Sequence, residues 1–405
     1  MNVCIIGGGA AGLVCGISAA LNGNKVRILE ARDRIGKKIL ATGNGKCNMT
    51  NADMSLSHYH GIKSKVDSQK LVNDVFNKFS PADTVNFFEQ IGISVIYRNG
   101  YAYPRSEQAS SVLDALRFKL ASLDAEIICD CRVNDIRKEN GIFVISSDKG
   151  KFTADKVVLS CGSKASLPGN APDGYHLAKS FGHNVINPYP ALVPIVCSGS
   201  KFKSLSGIRT QGTITVYDSG DEVIASAVGE LQLRDYGVSG IPAFMVSADV
   251  SSNIGSGKKL YLLLDFMPDV SLINLVNLLK QRIEDCPYKT AENYLIGLFN
   301  KNLALTLLKE CSIDLKLNVT KLTDSMIDNL ANQIKNFRAD IIGTKGIEDA
   351  QICAGGVDVC EIKSNLESKI TDGLYFAGEM IDVHGDCGGY NLQWAFSSGM
   401  VCGND

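Results

Sequence analysis

Residues 2–30 read NVCIIGGGAAGLVCGISAALNGNKVRILE, and this stretch decides the fold. An apolar run over Val3–Ile6 predicts a strand, and the glycine motif G-x-G-x-x-G follows it at residues 7–12. A helix rich in small residues is expected over Ala10–Leu21, and a second short strand then closes on the acid Glu30. This order of strand, tight turn, helix, strand and acid predicts a βαβ unit that binds a dinucleotide.

Each residue of the motif has a physical task in that prediction. Gly7 permits the sharp turn out of the strand, Gly9 lets the backbone approach a pyrophosphate, and Gly12 lets the helix pack closely on the sheet. The helix N-terminus offers free N–H groups and the positive end of its dipole to the phosphates. Glu30 is placed to accept from ribose hydroxyls, which favours FAD or NAD over a 2′-phosphorylated nucleotide. The alternative is a tight turn that binds nothing.

The segment after this acid, residues 31–51, is polar, glycine-containing and basic. Five lysines and arginines fall within residues 32–46, and the run TGNG at 42–45 is unsuited to a helix interior. We expect this loop to lie along the cofactor, with its N–H groups and lysines facing the pyrophosphate. The alternative is a solvated basic loop.

Two later strands also end on glycine. Val157–Ser160 leads towards Gly162 and is expected beside the first strand, near the cofactor. Close to the end of the sequence, Leu374–Ala377 leads into Gly378, and a helix is expected from about Asn391. The nucleotide domain is therefore predicted to be split in sequence and reunited in space around an insertion.

The middle of the chain has a different pattern of apolar residues from its two ends. Short alternating apolar runs follow a cluster of prolines, and amphipathic helices come after them. The predicted parts are a first part of the cofactor domain at 1–190, a β-rich substrate domain at 191–267, a helical insert at 268–340 and a second part of the cofactor domain at 341–405.

The composition is that of an ordinary globular protein. Of 405 residues, 45% are hydrophobic and 21% are charged, with a net charge of −2. That balance gives no global electrostatic reason to expect nucleic acid or an anionic membrane as a partner. The thirteen cysteines include no C-x-x-C pair, so we expect no metal site, and reduced thiols in a cytoplasmic protein. No apolar run approaches the roughly eighteen residues of a membrane span.

Three blocks of sequence are similar to one family of bacterial flavoproteins. They are GKKILATGNGKCNMTN (36–51), GELQLRDYGVSGIP (229–242) and GLYFAGEMIDVHGDCGGYNLQWAFSSG (373–399). Together they resemble the NAD(P)/FAD-dependent oxidoreductases of the aminoacetone-oxidase-like and bile-acid-reductase-like type, and the likeness covers essentially the whole chain. The resemblance implies an α/β fold, with a glutathione-reductase-like FAD-binding domain split in sequence and inserted β-barrel-like and helical domains.

The resemblance also implies which residues bind FAD. Glu30 would bind the adenosine ribose, the backbone at Val133 the adenine, and Gly378-Glu379 the pyrophosphate and ribityl chain. The Gly389–Leu392 turn would present N–H groups to the flavin's pyrimidine edge, where a helix N-terminus stabilises the anionic reduced ring. The motif and the resemblance together assign these residues to the cofactor: Gly7, Gly9, Ala11, Gly12, Glu30, Lys37, Lys38, Thr42, Gly43, Cys47, Asn48, Val133, Gly162, Gly378, Glu379, Gly389, Asn391 and Leu392.

The resemblance leaves several functions open. The first is reduction of an activated C=C bond, as in an unsaturated 3-oxo steroid or bile acid. Hydride from flavin N5 would add to the β-carbon and a protein acid would protonate the α-carbon, with NADH or NADPH as a transient donor. The alternatives are dihydrouridine synthesis in ribosomal RNA, which alone would need nucleic acid as a partner, oxidation of an amine such as aminoacetone, and a non-enzymatic flavin-binding role.

The catalytic residues that we predict are His384, Cys387 and Tyr390, because they lie in the loop expected at the flavin. Tyr236 is a further candidate proton donor. Each has a structural alternative: His384 as a loop residue bonded to backbone, Cys387 as a small apolar filler, and Tyr390 as packing against the cofactor. The family usually has an acid at the position of His384 and a more apolar second block. Trp394, the single tryptophan, is expected to pack in the core.

Overall fold

The chain divides into two units. The structure is a computed structural model, and it describes residues 1–165 and 174–405. One unit combines Met1–Tyr189 with Gln351–Asp405, and the other is the contiguous segment Pro190–Ala350. The first unit is therefore built from both ends of the chain.

The first part of that unit alternates strands and helices. Its strands are β1 (Asn2–Ile6), β2 (Lys25–Leu29), β3 (Thr50–Asn51), β4 (Tyr59–His60), β5 (Val95–Arg98), β6 (Tyr101–Pro104), β7 (Glu126–Ile128), β8 (Val133–Glu139), β9 (Ile142–Ser147), β10 (Gly150–Ala154), β11 (Lys156–Leu159) and β12 (Val185–Ala191), the last of which crosses the boundary between the units. Its helices are α1 (Ala10–Leu21), α2 (Lys37–Ala41), α3 (Lys65–Phe76), α4 (Pro81–Gln90), α5 (Ala109–Ser122) and α6 (Tyr175–Ser180).

The second unit and the return of the chain follow in order. The second unit contains β13 (Ile195–Cys197), β14 (Arg209–Asp218), β15 (Val223–Arg234), β16 (Gly237–Ser239), α7 (Ile241–Gly255), β17 (Leu260–Asp265), α8 (Leu272–Asp285), α9 (Ala291–Tyr294), α10 (Lys301–Glu310), α11 (Asp324–Lys335) and β18 (Phe337–Thr344). The first unit is then completed by β19 (Ile352–Val357), β20 (Leu374–Phe376), β21 (His384–Gly385) and α12 (Tyr390–Asn404).

A five-stranded parallel sheet forms the centre of the first unit, in the order β20-β11-β1-β2-β7. β1 pairs with β2 on one side and with β11 on the other, so the strand that leads to Gly162 lies beside the first strand, as predicted. β20, from the far end of the chain, pairs with the outer edge of β11. The carboxyl ends of these parallel strands meet at one edge of the sheet, which is where such folds bind their ligands.

α1 and α12 pack closely because small residues face each other. A Cβ added at Gly399 would be 2.3 Å from the Ala11 carbonyl oxygen, and one at Gly403 would be 2.4 Å from Ser18 Cβ. The Ser18 hydroxyl also donates to the Met400 carbonyl at 3.0 Å. Side chains of ordinary size would hold the two helices apart.

The second unit is a closed antiparallel barrel in the order β13-β16-β15-β14-β17-β18. Side chains from the barrel and from α8, α10 and α11 share one hydrophobic core. The units of the structure differ from the predicted parts at two places. The segments 191–267 and 268–340 belong to one unit, because these helices pack on the barrel. That unit also continues to Ala350 rather than ending at 340, because β18 closes the barrel by pairing with both β13 and β17.

Candidate functional site

In the turn between β1 and α1, two glycines lie against backbone atoms that leave no room for a side chain. The Gly7 N–H donates to the Leu29 carbonyl at 2.8 Å, and the φ of Gly7 is +106°. A Cβ at Gly7 would be 2.6 Å from the Ser160 carbonyl oxygen, and one at Gly12 would be 2.0 Å from the Gly7 carbonyl oxygen. The close packing of the turn therefore demands glycine at both positions.

Gly9 has no such internal reason to be glycine. A Cβ there would meet nothing within 4 Å, and its φ of −86° and ψ of −169° are open to any residue. Gly9 is the N-cap of α1, and this helix has neither a capping side chain nor an acid in its first turn. An uncapped helix N-terminus with open space beside it is an arrangement that binds phosphate. The fold therefore leaves space beside Gly9 that a ligand can occupy.

Glu30 directly follows β2 at the same edge of the sheet. Its Oε2 accepts from the Gly8 N–H at 2.8 Å, and its Oε1 accepts from the Arg32 N–H at 2.9 Å. These two bonds fix the direction of the carboxylate. Because an ionised carboxylate has about four acceptor positions, both oxygens keep capacity for ribose hydroxyls.

Glu379 joins three separate segments around the edge of the sheet. Its Oε2 accepts from Lys38 Nζ at 2.6 Å, and its Oε1 accepts from the Ser163 hydroxyl at 2.7 Å and the Cys353 N–H at 2.9 Å. Gly162, next to Ser163, turns the chain with a φ of +68°. The carboxylate thereby ties α2, the turn after β11 and the start of β19 to the turn after β20.

The turn at Gly378 is held by the helix that follows it. The Gly378 N–H donates to the Ser398 hydroxyl at 2.9 Å, and its carbonyl accepts from Trp394 Nε1 at 3.0 Å. The φ of Gly378 is +64°, and a Cβ there would be 3.0 Å from Ala11 Cβ. Trp394 is 2% exposed, so the single tryptophan packs in the core as predicted, and it also fixes this turn.

The N-terminus of α12 lies against β3. Its N-cap, Gly389, has a φ of +95°, and a Cβ there would be 2.7 Å from the Thr50 carbonyl oxygen and 3.0 Å from Asn48 Oδ1. The Asn51 side chain donates to the Gly388 carbonyl at 2.9 Å. Like α1, this helix has no capping side chain and no acid in its first turn. Asn48 Oδ1 and Thr50 Oγ1 are buried and have no hydrogen-bond partner among the described residues.

Asn391 holds the loop that precedes α12. Its Oδ1 accepts from the Gly385 N–H at 2.8 Å, and its Nδ2 donates to the carbonyls of Gly385 at 2.8 Å and Asp386 at 3.3 Å. Both the oxygen and the NH2 group of the side-chain amide thus form hydrogen bonds within the protein. It fixes the loop that carries the predicted catalytic residues.

Three histidines and two aspartates lie close together at this loop. The Asp386 carboxylate accepts from His58 Nδ1 at 2.8 Å and from His60 Nε2 at 2.9 Å. The second ring nitrogen of His58 lies 3.3 Å from an oxygen of Asp53. β4 and β21 bring the rings of His60 and His384 to a centroid distance of 5.5 Å.

Burial shifts the pKa values of the ionisable groups in this loop in different directions. Burial and the neighbouring His60 lower the pKa of His384 to about 3, which keeps it neutral, and its Nδ1 is buried without a partner among the described residues. Burial raises the pKa of Cys387 to about 11 and that of Tyr390 to about 12. Burial also acts to raise the pKa of Asp386, but the hydrogen bonds from its two histidines outweigh it, and that pKa is lowered.

Some predicted cofactor residues have their side chains engaged within the protein. Lys37 forms an ion pair with Asp33. The Thr42 hydroxyl donates to the Ile39 carbonyl at 2.6 Å. Cys47 is fully buried, so its thiol belongs to the core. Any contact that these three residues make with a ligand would therefore come from the backbone or from a rearranged side chain.

The other predicted residues are placed as follows. Gly43 has a φ of +54°, and a Cβ there would be 3.2 Å from the Asn48 nitrogen. Val133 is buried at the start of β8, and Leu392 packs on the core of the first unit. Tyr236 lies between β15 and β16 in the second unit, with Lys345 Nζ 4.3 Å from its ring centroid.

Sequence reasoning missed His58, His60 and Asn51. Their partners are 328, 326 and 337 residues away in the chain, so no local pattern connects them. The alternation of histidines in His58-Tyr59-His60 was the one available signal, since alternate residues of a strand share a face.

The residues present fit a dinucleotide of the FAD type. Two helix N-termini without capping side chains end at the site. Gly9 leaves room for a phosphate group, and the orphaned oxygens of Asn48 and Thr50 still need hydrogen-bond donors. In the described ranges, no helix combines the length and apolar character needed to span a bilayer. Among the same residues, no group of three or more His, Cys, Asp or Glu side chains is arranged to hold a metal ion.

Comparison with known proteins finds relatives over the full length of the chain. The family model described as HI0933-like protein Rossmann domain matches residues 1–405. The 3-dehydro-bile acid delta(4,6)-reductase of Clostridium scindens is 39% identical over 98% of this chain and 97% of its own length. The ribosomal RNA dihydrouridine synthase of Haemophilus influenzae is 28% identical over 98% of this chain and 96% of its own length.

Two solved structures are similar in fold. One is 3-ketosteroid delta1-dehydrogenase from Sterolibacterium denitrificans, with a TM-score of 0.52 and 12% identity over 99% of this chain and 98% of that chain. The other is 3-ketosteroid-delta4-(5alpha)-dehydrogenase from Rhodococcus jostii, with a TM-score of 0.50 and 14% identity over 99% and 95%. At such identities the likeness shows the fold alone. The predicted fold class, a Rossmann-type α/β domain with an inserted barrel, is confirmed.

Proposed function

This chain belongs to the HI0933-like Rossmann family of flavoprotein oxidoreductases, and on that premise we propose that it is an FAD-dependent reductase of an activated C=C bond. The substrate class is an unsaturated 3-oxo steroid or bile acid, and NADH or NADPH is the hydride donor. The observation that carries this proposal is the 39% identity, over nearly the full length of both chains, to a protein named as a 3-dehydro-bile acid delta(4,6)-reductase.

The cofactor-binding part of the proposal assigns each end of the site. The first turn of α1, with Gly9 at its N-cap, would hold the pyrophosphate, and Glu30 the adenosine ribose. The turn at Gly378 and the N-terminus of α12 at Gly389 would hold the rest of the molecule. The Glu379 side chain already forms hydrogen bonds with three segments, so its main task is to hold these turns in position.

The predicted catalytic residues then have distinct tasks. Bound FAD supplies a two-electron centre that exchanges hydride with a nicotinamide nucleotide and with the substrate. Because burial raises the pKa of Cys387 and Tyr390, both side chains stay protonated and serve as hydrogen-bond donors, for example to a substrate carbonyl. His384 stays neutral, and its unpartnered Nδ1 is available for one further hydrogen bond.

An anaerobic titration tests the proposal. Purified protein should be yellow and should release FAD rather than FMN on denaturation. NADH or NADPH should bleach it, and an unsaturated 3-oxo bile acid should restore the colour in stoichiometric amount. Protein that binds no flavin, or flavin that no unsaturated ketone reoxidises, would count against the proposal. Rapid reoxidation by air that depends on an amine and forms peroxide would indicate an oxidase instead.

A second function is favoured by another relative. The Haemophilus influenzae protein that aligns with nearly the whole chain is named as a ribosomal RNA dihydrouridine synthase. Mass spectrometry of ribosomal RNA from a deletion strain separates the two functions. Loss of a dihydrouridine would support the RNA function, and unchanged dihydrouridine would remove it.

A further inference from the structure

We propose that His58, held between Asp53 and Asp386, is the proton source for the reduction, a role that rests on the function proposed above. In that reaction hydride adds to one carbon of the C=C bond. His58 Nε2, whose bond to the exposed Asp53 is the longer of its two, gives its proton to the other carbon directly or through one water. The C=C π bond breaks, two C–H bonds form, and the nicotinamide nucleotide is the two-electron reductant. Solvent then returns a proton to the imidazole.

The geometry favours the charged form of His58. Its Nδ1 lies 2.8 Å from Asp386 Oδ2, and its Nε2 lies 3.3 Å from Asp53 Oδ2. An ionised carboxylate only accepts hydrogen bonds, so each ring nitrogen must carry a hydrogen to bond its partner. A neutral imidazole has one N–H, and only the imidazolium has two.

The position of His58 connects solvent to the predicted flavin turn. Its side chain is 28% exposed, whereas that of Asp386 is 15% exposed. Its ring stacks on Tyr390 at a centroid distance of 4.5 Å and an interplanar angle of 25°. Tyr390 is the first residue of α12 and directly follows Gly389. The His58 ring thus packs against the residue that directly follows the turn assigned to the flavin, and it is exposed enough for solvent to return a proton.

The ionisable groups around His58 favour the charged form. Burial acts to lower the pKa of His58, but hydrogen bonds to Asp386 and Asp53 outweigh it, and the pKa is raised above its usual value. Those two carboxylates come from the loop after β21 and from the segment before β4, and Tyr390 faces the ring from α12. His60 shares the Asp386 carboxylate, and its Nε2 donates to the other oxygen.

The three residues of the loop itself are poorer proton sources. His384 is neutral because its pKa is about 3. Cys387 and Tyr390, whose pKa values are about 11 and 12, hold their protons too tightly at neutral pH. General acids work best with a pKa near the working pH. His58 differs from these groups because each of its ring nitrogens lies within hydrogen-bonding distance of a carboxylate, and its pKa is raised above its usual value.

Titration of the histidines by NMR tests the charge without any catalysis. Protein labelled at histidine carbons gives five resonances to follow, and H58Q identifies that of His58. We expect His58 to titrate above 6.5 in the wild type, and D386N to lower that value. D53N should lower it less, since Asp53 is 70% exposed and its contact with His58 is longer. A value at or below 6.5 in the wild type, or one that D386N leaves unchanged, overturns the proposal.

Single-turnover kinetics test the transfer itself. Enzyme reduced beforehand is mixed with the unsaturated ketone at several pH values. The wild-type rate should fall as the pH rises through the His58 pKa measured by NMR. H58Q should be slower by about 100-fold or more and lose that pH dependence, in line with the usual contribution of a general acid. Its reduction by NADH or NADPH should stay at the wild-type rate. H176Q, which changes the exposed His176 on α6, is the matched control and should behave as wild type.

The outcomes separate the two proposals. If wild-type enzyme passes its electrons to the ketone and H58Q does so equally fast, the role of His58 is overturned and the proposed function stands. If the reduced wild type never reacts with the ketone, the proposed function fails, and the role of His58 in it fails as well. Unfolding followed by the fluorescence of Trp394 checks that H58Q and D386N are folded.

Discussion

Replacing Gly9 with alanine separates what a ligand requires from what the fold requires. The new methyl group would meet no atom within 4 Å, and the φ of −86° and ψ of −169° suit alanine. Alanine at a compatible backbone position changes stability by roughly 0.4–1 kcal/mol in the favourable direction, through the unfolded chain. Glycine is preferred over alanine at an N-cap, which offsets this gain. The protein without cofactor should therefore be about as stable as wild type.

The effect on the cofactor should be opposite. A methyl group at the N-cap pushes a phosphate away from the first turn of α1. Losing one hydrogen bond to a charged group costs about 1.5–3 kcal/mol, which corresponds to roughly 10-fold to 150-fold in affinity. G12A is the matched control, because its Cβ would be 2.0 Å from the Gly7 carbonyl oxygen. We expect it to cost about 1–3 kcal/mol of stability with or without FAD.

Tryptophan fluorescence is the assay for both variants. Trp394 is the single tryptophan and lies buried in the first unit, so its emission in urea reports that unit alone. Added FAD should raise the urea midpoint of wild type, and G9A should need at least tenfold more FAD for the same rise. A G9A protein that is destabilised by more than about 1 kcal/mol without cofactor would refute the reasoning about the fold. A G9A protein with wild-type affinity would refute the assignment of this turn to the pyrophosphate.

Three further substitutions have defined outcomes. W394F removes the donor to the Gly378 carbonyl. Because a buried carbonyl left unpaired costs about 1–3 kcal/mol, the free energy of unfolding should fall by that amount in urea unfolding followed by circular dichroism. An unchanged free energy of unfolding would show that the bond is dispensable. N391A removes both bonds to the Gly385 backbone, so the 384–387 loop should exchange its amide hydrogens at least tenfold faster, whereas equal exchange would show that the loop is held elsewhere. Because the pKa of His384 is about 3 when folded and about 6.5 when unfolded, the unfolded state alone takes up the proton below pH 6.5. The free energy of unfolding should therefore decrease by up to about 1.4 kcal/mol for each unit by which the pH is lowered below 6.5. H384N should remove that slope. An H384N profile parallel to wild type between pH 4 and 6.5 would contradict the burial of a neutral ring.

The parts of the fold that were predictable are those encoded by local patterns. The strand–glycine–helix sequence at residues 2–30 specified β1, α1 and β2, because sharp turns and close helix packing need glycine at fixed positions. The hairpin of β5 and β6 connects through Asn99 and Gly100, both with positive φ, and this turn is the strongest short-range signal of a hairpin. The end of the second unit has no such local signal, because closure of the barrel by β18 depends on pairing with β13, more than 140 residues earlier.

The site residues differ in the kind of sequence signal that points to them. Gly9 was assigned to the cofactor from its motif, and Gly389 from the family resemblance. The clamp of Asp386 by two histidines was not found, because charge pairing across more than 300 residues leaves no trace in spacing. Lys38 was assigned to the cofactor from its charge, but its partner in the structure is the carboxylate of Glu379. A sequence shows that a charge is present, whereas only the fold shows which opposite charge is nearer.

The pairing of α1 with α12 also affects how the chain is synthesised. The barrel segment, residues 190–350, is contiguous and can begin to fold as soon as it leaves the ribosome. The nucleotide unit has to wait until residues 390–404 emerge, a delay on the order of seconds at roughly 5–20 residues per second. During that time the small-residue face of α1 around Ala11 and Ser18 has no partner. The first helix to be made is thus among the last to be packed.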